Sequence, residues 1–233
     1  VRFWIQSQLD HVEALKFGLE GKDRQILSGY VPKVSLTVDK AVYRGLHLSR
    51  VNAAATEIRF NLGQILRGKP LRLLQPFPVQ GHVCLFAEDL RASLNSSLLA
   101  QGLQDVLQRL VNAHPDLFPK AHHLRELIAD FSKVSATTAV DLDQNQITLA
   151  WKPDDPTAEQ VMLSTGLDIR AGHLLYLLQP EVRMDPDAHR GESGPVRLDD
   201  FVIDLGSEVE IQALTVKQTF IEIEGMVKVI PAN

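Results

Sequence analysis

Few residues in this chain could do chemistry, and they are poorly arranged for it. There is one cysteine, Cys84, and the eight histidines are scattered. His122 and His123 are the sole histidine pair, and sequence neighbours do not share a helical face. A zinc site needs several such ligands at set spacing, so no metal is expected. Two acid pairs, Asp154–Asp155 and Asp199–Asp200, fall in polar loops. Paired carboxylates can cleave glycosidic bonds, but solvated loop acids are the ordinary reading. Ser96 and Ser97 offer hydroxyls with no histidine nearby in sequence. Asn95-Ser96-Ser97 fits a glycosylation triplet, which often arises by chance. No glycine-rich phosphate loop, nucleophile elbow or zinc-protease motif is present. Catalysis and a cofactor are therefore not expected, and the surface must carry the function.

Composition narrows what that surface meets. Hydrophobic residues make up 45% of 233, enough for a substantial core. The net charge of −5 lacks the electrostatic footprint of nucleic-acid binding. Charge is unevenly placed. Lys40–Arg72 carries seven bases against one acid, a net +6, while Glu181–Glu210 carries nine acids against three bases, a net −6. Two solvated faces explain this, and so does a basic end meeting anionic head groups. With one cysteine there is no disulfide framework, and Cys84 reads as a small buried hydrophobe in Val83–Phe86. No apolar run approaches the ~18 residues that read as a spanning helix, and no signal peptide is visible. The expectation is a soluble or peripheral membrane protein, the cytoplasmic side favoured over the cell envelope.

The elements follow from hydrophobic period. Residues 1–14 space Phe3, Ile5, Leu9 and Val12 as one side of an amphipathic helix. Leu15, Phe17 and Leu19 alternate as a short strand, and Gly29 and Pro32 mark a bend. Val34, Leu36 and Val38 alternate, then Leu46 and Leu48, then Val51, Ala53 and Ala55 in another phase. These phase changes predict bulges or strong coiling in a long strand. Residues 63–70 predict one helical turn stopped by Gly68 and Pro70. A strand follows, with Val79, Val83 and Leu85 on one face and Gly81 between them. Residues 87–116 are the clearest helical region, striped by Leu99, Leu103, Val106, Leu107 and Leu110 and ended by Pro115. Residues 123–132 suggest a second helix, and alternation returns from about Ala136 to the C-terminus. Strands, then helices, then strands predict an α+β fold with helices packed on one long, curved antiparallel sheet.

Several runs also carry a resemblance. SGYVPKVSLTVDKAVYRGLHLSRV, IRFNLGQILRGKPLRLLQPFPVQG, AEDLRASLNSSLL and FVIDLGSEVEIQALTVKQTFIEIEGMVKVIP, in that order, resemble the LmeA-like phospholipid-binding family in its branch from photosynthetic bacteria. His114–Lys133 departs from that pattern. The resemblance implies a single lipid-binding-type domain over 1–233, with strands in 15–86, helices in 88–132 and strands in 136–230. It implies the architecture of tubular lipid-binding domains, a curved antiparallel sheet wrapped around one or two helices over an apolar channel. It transfers no catalytic residue.

On that footing the candidate channel lining is Val34, Leu36, Val38, Val79, Val83, Leu85, Ile221 and Ile223 from strands, and Leu99, Leu103, Val106, Leu107 and Leu110 from the helix. Arg44, Arg67, Lys69 and Arg72 are candidates for head-group or membrane contact. Core packing is the alternative for the apolar sets, and solvated surface for the basic one. The expected ligand is a phospholipid or fatty-acyl molecule, bound or transferred at a membrane surface. The competing readings are a dry-cored interaction module and, last, a lipid hydrolase.

Overall fold

The structure, a computed structural model, describes residues 10–94, 96–113, 139–151, 160–185 and 195–231. Twelve strands form two antiparallel sheets among these residues. Sheet one begins with β1 (His11–Glu20), β2 (Tyr30–Tyr43), β3 (Leu46–Arg59) and β4 (Phe77–Phe86). It is completed by the C-terminal hairpin of β11 (Val209–Val216) and β12 (Phe220–Val229), giving the order β1-β2-β3-β4-β12-β11. Sheet two comprises β5 (Ala139–Asp143), β6 (Gln146–Trp151), β7 (Gln160–Arg170), β8 (Leu174–Asp185), β9 (Val196–Arg197) and β10 (Phe201–Asp204). Its order is β10-β8-β7-β6-β5, with β9 also on β8. Four helices intervene: α1 (Asp23–Leu27), α2 (Leu62–Ile65), α3 (Ala87–Ser93) and α4 (Ser97–Ala113).

The protein is thus mainly antiparallel sheet with few, mostly short helices, within the expected α+β class. Two expectations need correction. There are two six-stranded sheets, not one long sheet. They meet at the β11 edge, where Ile211 N donates to Gly172 O and Asn145 N to Val216 O. The expected helix over 1–14 fails where it is described, because His11 already pairs with Val42 as strand. A fourteen-residue neighbour in β2 offers ladder hydrogen bonds that the local spacing could not reveal. Residues 1–9 and the helix expected over 123–132 lie outside the described residues.

The phase changes in β2 and β3 have a definite cause. Lys40 and Glu57 adopt left-handed φ values of 49° and 57° within the strands. Each turns the strand's face over locally, so Val38 and Ala41, three residues apart, are both buried. The β2–β3 register shows no slip across these points, so the predicted bulge is a kink without an inserted residue.

The core sits where α3, α4, sheet two and the near end of sheet one converge. Leu90 and Leu107 from the helices, and Leu94 at the end of α3, meet Leu142, Leu149, Leu163 and Leu177 of sheet two. Val216 and Ile221 close it from sheet one.

Candidate functional site

An apolar pocket of about 460 Å³ lies between α4 and sheet two. Leu99, Leu103 and Val106 form its helical wall at three- and four-residue spacing. Ile147, Leu149, Leu163, Leu167, Leu175, Leu177 and Ile203 form the sheet wall. Alternation places these on one face of β6, β7, β8 and β10. Thr165 is the one hydroxyl in the lining, and its single O–H is shared between Gly166 O at 3.0 Å and Leu178 O at 3.2 Å. Its polarity is therefore spent internally, leaving an almost wholly aliphatic wall. Asp105, Arg109 and Asp204 also border the pocket, and all three are exposed to solvent. At roughly 30 Å³ for a water- or methylene-sized unit, the volume takes about fifteen units, one acyl chain.

Three of the five predicted helical residues, Leu99, Leu103 and Val106, line this pocket. Leu107 turns away and is buried in the core at 1% exposure. The side chain of Leu110 lies outside the described residues. Sequence reasoning left the sheet-two wall out of the site, although Ile147 and Leu149 alternate visibly.

The eight predicted strand residues do not line the pocket. Register instead gathers them on one face of sheet one, since directly paired residues project to the same side. One row runs Leu15, Val38, Val51, Val83, Ile223, Leu214 across all six strands. The next runs Phe17, Leu36, Ala53, Gly81, Gly225. A third runs Leu19, Val34, Ala55, Val79, Val227, Val209. Leu85 pairs with Ile221 on the same side. Val38 and Ile221 are buried, while Val34, Leu36, Val79, Val83, Leu85 and Ile223 are half-buried. Ala53, Ala55 and Gly81 leave a shallow trough in the middle of this face, closed at Gly225 by the backbone of Glu210 and Ile211. The opposite face is polar, with Asp39, Arg50 and Glu222 on it, and His82 Nε2 is 2.8 Å from Glu222 Oε1.

The +6 segment does not form one patch. Arg44 sits in the β2–β3 turn, stacked on Tyr43. Arg67, Lys69 and Arg72 sit in the β3–β4 connection, a full strand length away, roughly 45 Å for fourteen residues. Lys40 pairs with Glu88 and Asp89, Arg50 pairs with Asp39, and Arg59 stacks on Tyr30.

The residues first weighed for chemistry have other duties. Ser96 caps α4, its hydroxyl accepting from Leu99 N at 3.2 Å. Asp200 accepts from Gln179 N at 2.9 Å. Cys84 is not a buried hydrophobe. It is half-buried on the polar face between Arg50 and Glu222, and burial, then the Glu222 charge, pushes its thiol up. Asp154–Asp155, His122–His123 and Asn95 lie outside the described residues. No cluster of three or more metal-ligating side chains occurs among the described residues. None of the described helices is long and apolar enough to cross a membrane.

Fold and site together define a mainly antiparallel α+β protein with an aliphatic pocket beneath an amphipathic helix. The chain belongs to the LmeA-like phospholipid-binding family, whose model matches residues 1–226. No curated protein and no solved structure matches it.

Proposed function

We propose that this protein binds a phospholipid or similar amphipathic lipid without catalysis, holding an acyl chain in the pocket under α4. The observation that carries this reading is the 460 Å³ aliphatic pocket, and family membership supports it. An acyl chain gains about 0.8 kcal/mol for each methylene it removes from water. The bilayer already provides that gain, so a carrier must match the bilayer rather than beat water. An aliphatic wall with its one hydroxyl satisfied meets that demand. The head group stays outside, beside Arg109, which forms no ion pair among the described residues. The second chain of a two-chain lipid lies along the apolar face of sheet one. Transfer at a membrane surface follows as the use of such a site. In this reading the fold is of the tubular lipid-binding kind, two sheets and α4 standing in for one wrapped sheet.

Native mass spectrometry of the purified full chain, with lipid extraction, tests this. Phospholipid at close to one per chain supports it. A consistently empty protein overturns it in favour of a dry-cored interaction module. Release of free fatty acid from ester lipids during incubation would overturn the non-catalytic part.

A further inference from the structure

One end of sheet one collects apolar side chains that have no place in a core. Glu20 pairs with Lys33, Tyr30 with Arg59, and Val229 with Phe77, so α1, the β3–β4 connection and the chain after β12 share this end. Leu66 is 80% exposed there, Leu27 74%, Leu71 62% and Leu74 61%, and Ile230 is exposed beside them. Eight large apolar residues are exposed among the described residues, and all but Val202 sit toward this end.

These leucines are held out, not left loose. Asn61 is buried at the base of the β3–β4 connection. Its side chain donates to Pro70 O at 3.0 Å and accepts from Arg72 N at 2.7 Å. Its backbone N donates to Arg72 O, Leu74 N donates to Arg59 O, and Phe60 N donates to Gly29 O of the neighbouring link. The connection therefore closes on itself around one asparagine and turns its leucines outward. Between them stand Arg67, Lys69 and Arg72, with no acid anywhere in residues 61–76. None of the three forms an ion pair among the described residues. Leucines alternating with bases, at a rigid tip, suit the boundary between anionic head groups and acyl chains.

We infer that this tip inserts into an anionic lipid leaflet, with Leu66, Leu71 and Leu74 entering the acyl layer and Arg67, Lys69 and Arg72 meeting the head groups. The inference deepens the lipid-binding reading and rests on it. It also gives the apolar face of sheet one a direction, since its successive rows step from the core toward this end.

The test is flotation of the full chain with vesicles of equimolar phosphatidylglycerol and phosphatidylcholine. Binding by the native chain is expected, falling on the order of tenfold or more in Leu66→Asp with Leu71→Asp. Arg67→Gln with Lys69→Gln should weaken binding to these vesicles and leave any residual binding to pure phosphatidylcholine unchanged. Leu71→Trp should add a blue-shifted emission that acyl-brominated lipid quenches. Undiminished flotation of the leucine variant overturns the inference. So does a native chain that stays in solution, or a native dimer that the leucine variant dissolves without vesicle binding. Lipid content by native mass spectrometry separates the two ideas. A lipid-loaded chain that ignores vesicles loses only the tip, and an empty chain that binds through the tip loses only the pocket.

Discussion

Asp89 Oδ2 lies 2.9 Å from Lys40 Nζ and accepts the Ser49 hydroxyl as well, so one carboxylate joins α3 to two strands of sheet one. Ser49 in turn accepts from Phe86 N, and Ser93 accepts from His47 N. The helix pair that roofs the pocket is anchored through this network.

The network makes acid stability predictable. Burial pushes the Asp89 carboxyl up, but the Ser49 and Lys40 hydrogen bonds outweigh it and hold the group below its usual range. A lowered folded value contributes stability that is complete above the unfolded value of ~3.9 and lost as pH falls through the folded one. Lys40 is raised, by its Asp89 bond first, so its share persists at neutral pH and is lost only above its ordinary alkaline value. Asp89→Asn should cost about 1–3 kcal/mol at pH 7. Urea melts should show the difference from the native chain shrinking toward acid pH.

Filling the pocket should separate binding from folding. Val106→Phe adds bulk to the helical wall of the pocket, at a partly buried residue that packs against the core without belonging to its fully buried set. Displacing room for roughly three methylenes should weaken lipid binding by about 2–3 kcal/mol. Thermal midpoints should hardly move, and the lipid peak in native mass spectra should fall.

The paired glycines Gly81 and Gly225 of sheet one should behave differently. A Cβ on Gly81 meets nothing nearer than Asn52 O at 4.0 Å. Gly81→Val should fold with stability equal to or up to about 1 kcal/mol above the native chain. If the second acyl chain uses the trough, two-chain lipid is lost while single-chain lipid is kept. A Cβ on Gly225 would sit 2.6 Å from Glu210 O and 2.9 Å from Ile211 Cα. Gly225→Ala should therefore cost about 1–3 kcal/mol, read by chemical denaturation.

Ser96→Ala discriminates the hydrolase reading. Loss of the α4 cap should cost about 1 kcal/mol. Lipid binding should persist, and any trace of ester cleavage should be unaltered. A selective loss of cleavage would return Ser96 to a catalytic role.

Local period made much of this legible. Alternation in Val34–Val38 and Val79–Leu85 put those residues on a common strand face, and register confirms a shared side of sheet one. The three- and four-residue stripe of α4 likewise showed which helical face is apolar. It did not separate Leu107, in the core, from Val106, on the pocket. The strand at His11 was misread because its partner lies thirty-one residues on, at Val42. The leucines of residues 66–74 read as an ordinary turn into a strand, since exposure is not written in their spacing.

The sequence by itself determined most of the elements and their apolar sides, the absence of the common catalytic motifs and the charge asymmetry, because these depend on residues near one another. Only the tertiary structure decided that there are two sheets, that β12 returns beside β4, and that the cavity lies between α4 and sheet two. It also decided that Arg44 and Arg67 stand at opposite ends of a strand pair. Pairing partners and cavities arise from contacts between distant segments, and a charge sum along the chain carries no direction in space.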